Sequence, residues 1–307
     1  MTSNRVVATL EREGILYTIL RRVLRPSCLR RARLAPPPRH SSMARGRPDV
    51  NGHCHLCGAE GKLSFEHVPP KSAFNARKVY VQRGQELVTA VDLETVRRVQ
   101  FQSGVGANTL CESCNNNTGA WYGRPFADFA RQAVSAIRIA TGARSTLCYE
   151  VRPLCVSKQV VCMFFSINGP GFREDHPELE RFVLDKHAVG LPPRYQVYAY
   201  LNPTSHGRSC GVTAAIDIAA GTARYVSEIS LCPLGIVLSI DSFPPKERLA
   251  DITFMASHQY EDRLHVELSL PLLSAYSPFP LDFRDRETLE SDRDESIALS
   301  AKRSAGA

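Results

Sequence analysis

The chain has 307 residues, a formal net charge of +7, and apolar and charged fractions of 43% and 22%. That length supports a sizeable core and two domains, and the composition is that of a globular protein rather than a disordered or fibrous one. The longest apolar runs, such as Val160–Ile167, are far too short to span a bilayer, so a soluble, cytoplasmic protein with no membrane partner is expected.

The charge is unevenly placed. Residues 1–49 hold eleven Arg and three acids, residues 54–145 eleven Lys/Arg and seven acids, and residues 146–307 sixteen and twenty-one. The middle stretch is therefore basic. That excess either attracts phosphate without regard to sequence or is an ordinary surface excess. The acidic C-terminal half argues against a second broad phosphate-binding face.

Residues 1–49 read as an Arg-rich extension. Apolar residues from Leu10 to Leu24 fall at helical spacing, and the run from Arg30 to Arg39 is too polar and proline-rich to pack. Three readings stand: a DNA-binding arm, a targeting peptide, or disordered or spurious upstream sequence with the true start at Met43. The last is favoured, because a start at Met43 loses nothing of the motifs that follow.

Residues 50–145 form the next unit. Leu63–His67 reads as a short strand ended by Pro69-Pro70. Lys78–Gln82 and Arg97–Gln102 alternate as strands do. Pro125 suits the first turn of a helix that carries Phe126, Phe129, Ala130, Ala133 and Ile137 on one face and stops near Gly142. Residues 146–285 read as a second, mixed domain, with a helix over Glu178–Lys186 after Pro177. Its strands are expected at Tyr195–Leu201, Val212–Ile218, Ile229–Ile240 (interrupted by Pro233) and Leu264–Leu270. Residues 286–307 are charged and read as a flexible tail.

Chemistry concentrates in the unit over 50–145. Cys54-x2-Cys57 and Cys111-x2-Cys114 are two pairs at metal-knuckle spacing, separated by 53 residues. Four thiols leave a zinc ion no open position, so the implied Zn²⁺ is structural. The other six cysteines stand singly and most read as small buried hydrophobes in a reducing compartment. Between the pairs lies Glu66-His67. Neighbours on an ideal strand face opposite ways, so both reach one site only where the backbone deviates before Pro69. Otherwise they are a surface acid beside a half-buried histidine. Asn115 follows the last cysteine directly.

The pattern Cys54-x2-Cys57, Glu66-His67-Val68-Pro69, Leu110-Cys111-x2-Cys114-Asn115 resembles the HNH endonuclease superfamily, in its zinc-containing ββα-metal branch. The resemblance covers roughly residues 52–122. It implies His67 as general base and Glu66 and Asn115 as ligands of one catalytic Mg²⁺ or Mn²⁺. Asn108 is the candidate for the asparagine that orients the histidine; Asn116 and Asn117 either serve instead or satisfy backbone groups at a helix start. An insertion around Val79–Phe101 accounts for the forty-three residues between His67 and Cys111. The fold expected is α+β: a zinc-finger-like ββα-metal domain followed by a mixed α/β domain.

These residue types suit phosphodiester cleavage. A neutral histidine takes a proton from water near neutral pH, and a hard cation takes oxygen ligands. Lys71 and Arg124 are candidate phosphate contacts. Trp121, the single tryptophan, either stacks on a base or packs the following helix. The expected function is a metal-dependent DNA endonuclease acting on double-stranded DNA. The alternatives are a non-catalytic zinc module that binds nucleic acid or protein, and a chain whose activity resides in residues 146–285.

Overall fold

The computed structural model describes residues 18–21, 50–89, 96–217, 222–242, 245, 249–292 and 294–295. Of the N-terminal extension only Thr18–Arg21 is among the described residues; Arg30–Arg39, Cys28 and Met43 lie outside them. Thr18–Arg21 is a strand, β1, where the apolar spacing had suggested a helix.

Two strands, β2 (Val50–His53) and β3 (Glu60–His67), form a hairpin. The chain then leaves this small sheet. Strand β4 (Val79–Arg83), helix α1 (Gly84–Thr89) and strand β5 (Val99–Phe101) make up the expected insertion, and β4 and β5 fall on the segments whose alternation predicted strands. Strand β6 (Gly106–Cys111) returns to pair antiparallel with β3, completing the order β2-β3-β6. Helix α2 (Glu112–Thr118) follows at once, then a π-helical turn over Gly119–Gly123 and helix α3 (Arg124–Ile139). The antiparallel strands β3 and β6 and helix α2 thus carry Glu66, His67, Asn108, Cys111, Cys114 and Asn115, while Cys54 and Cys57 lie in the turn between β2 and β3. Pro125 sits in the first turn of α3, where its missing N–H costs nothing.

Strand β7 (Arg144–Val151) leads into helix α4 (Pro153–Asn168), which sequence periodicity did not reveal. Nearly every side chain of α4 is buried. A helix wrapped on all sides has no polar face, so it shows no amphipathic period. Helices α5 (Gly171–Asp175) and α6 (Pro177–Leu184) follow. Strands β8 (Tyr195–Leu201), β9 (His206–Asp217), β10 (Thr222–Leu231), β11 (Leu234–Ile240) and β12 (Ala250–Asp251) join β1, β4 and β5 in an eight-stranded sheet ordered β12-β8-β11-β10-β9-β1-β4-β5. Pro233 falls in the turn between β10 and β11, which are separate strands. Strand β13 (Leu264–Pro271) pairs with β7 as a second, two-stranded sheet.

Side chains alternate across β8. Tyr195, Val197, Ala199 and Leu201 join one large apolar cluster with α4, whereas Tyr198 and Tyr200 join a smaller cluster on the opposite face. The large cluster includes Cys54, Leu56 and Leu110 beside the knuckles and Leu268 and Leu270 of β13. It therefore draws on both sides of the position 145/146 at which the sequence suggested a domain boundary. Cys155, Cys162 and Cys210 are buried, as expected of lone cysteines, while Cys148 is exposed. Residues 286–292 are helical rather than irregular. Among the described residues no helix is long and apolar enough to cross a membrane.

Candidate metal centre and adjoining groove

The first knuckle is a tight turn after β2, in which Cys54 N–H donates to the Ala59 carbonyl and Gly58 N–H to the Cys54 carbonyl. The second spans the end of β6 and the first turn of α2. His55 N–H donates to the Thr109 carbonyl and so ties the first knuckle to β6. The sulfurs of Cys54, Cys57, Cys111 and Cys114 all lie within 4.8 Å of one another, and those of Cys57 and Cys111 are 3.8 Å apart. A tetrahedral zinc site with Zn–S bonds of ~2.3 Å has sulfur–sulfur edges of ~3.8 Å. The donor set and its spacing fit zinc. Cys54 and Cys114 are buried. The Cys114 thiol beside Cys54 favours the Cys54 thiolate and lowers its pKa, whereas that of Cys114 itself is pushed up.

The rigid knuckles position their neighbours. Asn115, one residue past Cys114, donates from Nδ2 to the Ser64 hydroxyl at 3.0 Å and to the Phe65 carbonyl at 3.3 Å. Both acceptors belong to β3, so the amide is fixed across from Glu66 and His67. With Nδ2 engaged on β3, Oδ1 is the end of the amide available to the groove that Asn115 lines.

Opposite β3, the strand β6 is bulged: Ser64 faces Leu110 and Phe65 faces Asn108, so Thr109 is an extra residue. Beyond the bulge the strands come very close. A Cβ on Gly106 would lie 1.9 Å from the Glu66 carbonyl oxygen, so only glycine fits there. This irregular end of β3 is where Glu66 and His67 both come to border one groove of about 700 Å³, together with Asn115, Lys71, Arg124, Arg131 and Gln159.

The two residues sit at different depths. Glu66 is 6% exposed and turned toward α4, where Ser166 donates to its Oε2. Burial pushes its carboxyl up to about 7, against the pull of the Ser166 hydroxyl. His67 is half-buried, with Nε2 2.8 Å from the Ser103 carbonyl oxygen. A carbonyl only accepts, so Nε2 carries the proton, and Nδ1 is the basic nitrogen of the neutral ring.

The segment that presents Ser103 is held by a residue that sequence reasoning missed. Asn75 is 1% exposed and donates to the Pro69 and Val105 carbonyls, both at 2.7 Å, while its Oδ1 accepts from Val105 N–H at 2.8 Å. Gly104 packs on its backbone at φ 86°, where a Cβ would lie 1.8 Å from the Asn75 carbonyl oxygen. Asn75 thus clamps the Ser103–Val105 turn under His67. Asn108 does not reach the histidine; its amide donates to the Leu63 carbonyl at 3.0 Å. An asparagine soon after Pro69-Pro70 looks like a turn residue in sequence, so nothing but its double reach in space reveals its role.

The groove is electropositive. Lys71, Arg124 and Arg131 border it, and its one acid, Glu66, is buried. Among the described residues Lys71 and Arg124 have no ion-pair partner, whereas Arg131 pairs with Asp128. Gly119 and Gly123 of the π-helical turn open onto the groove with nothing within 4 Å of an added Cβ. Trp121 of the same turn is half-buried and packs on the large core cluster. Comparison with family models, with curated proteins and with solved structures finds no match to this chain.

Proposed function

We propose that this chain is a metal-dependent endonuclease of the HNH type that hydrolyses DNA phosphodiester bonds. One observation carries the reading: Glu66 and His67, and Asn115 far along the chain from them, border the same cation-lined groove beside the four-cysteine cluster. In this reading His67 accepts a proton at Nδ1 from the attacking water, while the Ser103 carbonyl keeps the ring in place through Nε2–H. Lys71 and Arg124 hold the phosphate. The donors for a catalytic Mg²⁺ or Mn²⁺ are the Asn115 amide oxygen and the Glu66 carboxylate. Ser166 orients that carboxylate, as outer hydrogen bonds commonly orient ligating acids. Such an ion, when bound, neutralises charge on the phosphate and the leaving oxygen. The cysteine cluster is assigned a separate, structural zinc.

The depth of Glu66 favours one other reading. A buried acid bonded to a core serine also suits a non-catalytic zinc module in which Glu66 ties β3 to α4. Supercoiled plasmid separates the two. The nuclease reading expects nicked or linear product with Mg²⁺ or Mn²⁺; intact plasmid under both ions, and intact RNA as well, favours the module.

A further inference from the structure

Gln159 is the polar residue of α4 that borders the groove. It is 2% exposed, its Oε1 is buried without a hydrogen-bond partner, and it borders the groove that Arg124 and Arg131 also line. Its neighbours one turn away on the helix, Cys155, Val156, Cys162 and Met163, are apolar and sealed in the core, and the adjacent Lys158 places its amine on the Phe182 and Asp185 carbonyls. Packing alone therefore gives no reason for an amide at this position.

We propose that the inner end of the groove is a subsite for one unpaired nucleotide of the bound strand, with its base or sugar hydrogen-bonded to Gln159 and its phosphate held by Lys71 and Arg124. The proposal rests on the reading of the groove as a place where nucleic acid is cut. An unsatisfied acceptor calls for a donor, which a phosphate lacks and which an exocyclic amino group or a sugar hydroxyl supplies. An adenine edge satisfies both ends of a glutamine amide at once. The unpaired cations beside it call for an anion. A nucleotide carries both features on one unit. Depth excludes reading of an intact duplex. A side chain that reads paired bases must project into a groove of the DNA, and Gln159 stays inside the protein. The base must come to it, out of the stack.

The test is equilibrium binding of the full chain, without added Mg²⁺ or Mn²⁺ and at one ionic strength. The fluorescent DNAs are a single strand, the same sequence as a blunt duplex, and that duplex with one bulged adenine. The single strand and the bulged duplex are expected to bind ~10-fold or more tighter than the blunt duplex, the scale of one lost bidentate contact. Gln159→Leu should bring all three to the level of the blunt duplex. Gln159→Met serves the same comparison should the leucine variant melt below wild type. Equal binding of the three DNAs by wild type, or a preference that survives in the variant, overturns the subsite. Binding is read without cleavage, so the two readings separate. A Gln159-dependent preference in a protein that leaves plasmid intact upholds the subsite and removes the nuclease. Cleavage without that preference does the reverse.

Discussion

The Ser166 hydroxyl donates a hydrogen bond to the Glu66 carboxylate, joining residues one hundred positions apart. Through this bond the buried helix α4 reaches the end of β3, and the acid beside His67 becomes part of the core as well as of the groove.

That position gives Glu66 a sign in the pH dependence of stability. Its folded pKa is raised to about 7 from an ordinary 4.5, so between those values the folded state holds a proton that the unfolded state has released. Stability contributed by this group is full below pH 4.5 and falls as pH rises toward 7, by on the order of 3 kcal/mol in total. Glu66→Gln should flatten that part of the curve and be the more stable protein above pH 7, as read by denaturant unfolding at several pH values. If Glu66 also holds the catalytic ion, added Mg²⁺ should raise the melting temperature of wild type at pH 8 and leave that of Glu66→Gln nearly unchanged.

The cysteine cluster should hold one zinc per chain by elemental analysis. Its removal should cost on the order of 10 kcal/mol, because the metal closes a loop that the unfolded chain does not form. Cys114→Ser should yield protein without zinc and without a cooperative melt. A zinc-free protein that melts like wild type would contradict the assignment.

Asn75→Ala deletes three hydrogen bonds and leaves the Pro69 carbonyl and the Val105 N–H without partners, while the Val105 carbonyl keeps the Val68 N–H. A loss of about 2–4 kcal/mol in unfolding free energy is expected. Because the Ser103 carbonyl orients His67, turnover should fall more than substrate affinity does.

Gln159→Leu should have the opposite effect on stability. Replacing a buried, unpartnered amide by an apolar side chain of similar size removes a desolvation cost of about 1–3 kcal/mol. The expected outcome is a higher melting temperature combined with weaker binding. A lower melting temperature would mean that the amide has a structural partner.

Much of this was legible in the sequence where local rules act alone. Tyr195–Leu201 matches β8, a short aromatic-rich run buried on both faces, and Leu264–Leu270 lies within β13, where exposure alternates along the strand. Pro125 and Pro177 mark the first turns of α3 and α6. The cysteine spacing identified the cluster that the fold brings together. Helix α4 was hidden, since its burial on every side removes the periodicity that betrays a helix. Its ends did carry signals, Pro153 in the first turn and Gly169 at φ 82° just past the last. Asn75 and Gln159 were illegible for a different reason: their roles depend on partners, or on a missing partner, that only tertiary structure defines. Asn108, expected beside the histidine, points elsewhere. Its register opposite Phe65 directs the amide to Leu63.

The central claim is that His67 activates water for strand cleavage. The most direct measurement compares nicking of supercoiled plasmid by wild type and His67→Ala with Mn²⁺, at matched zinc content and melting temperature. Loss of the general base should slow cleavage by ~10²–10⁴-fold. Equal rates in the two proteins would contradict the account.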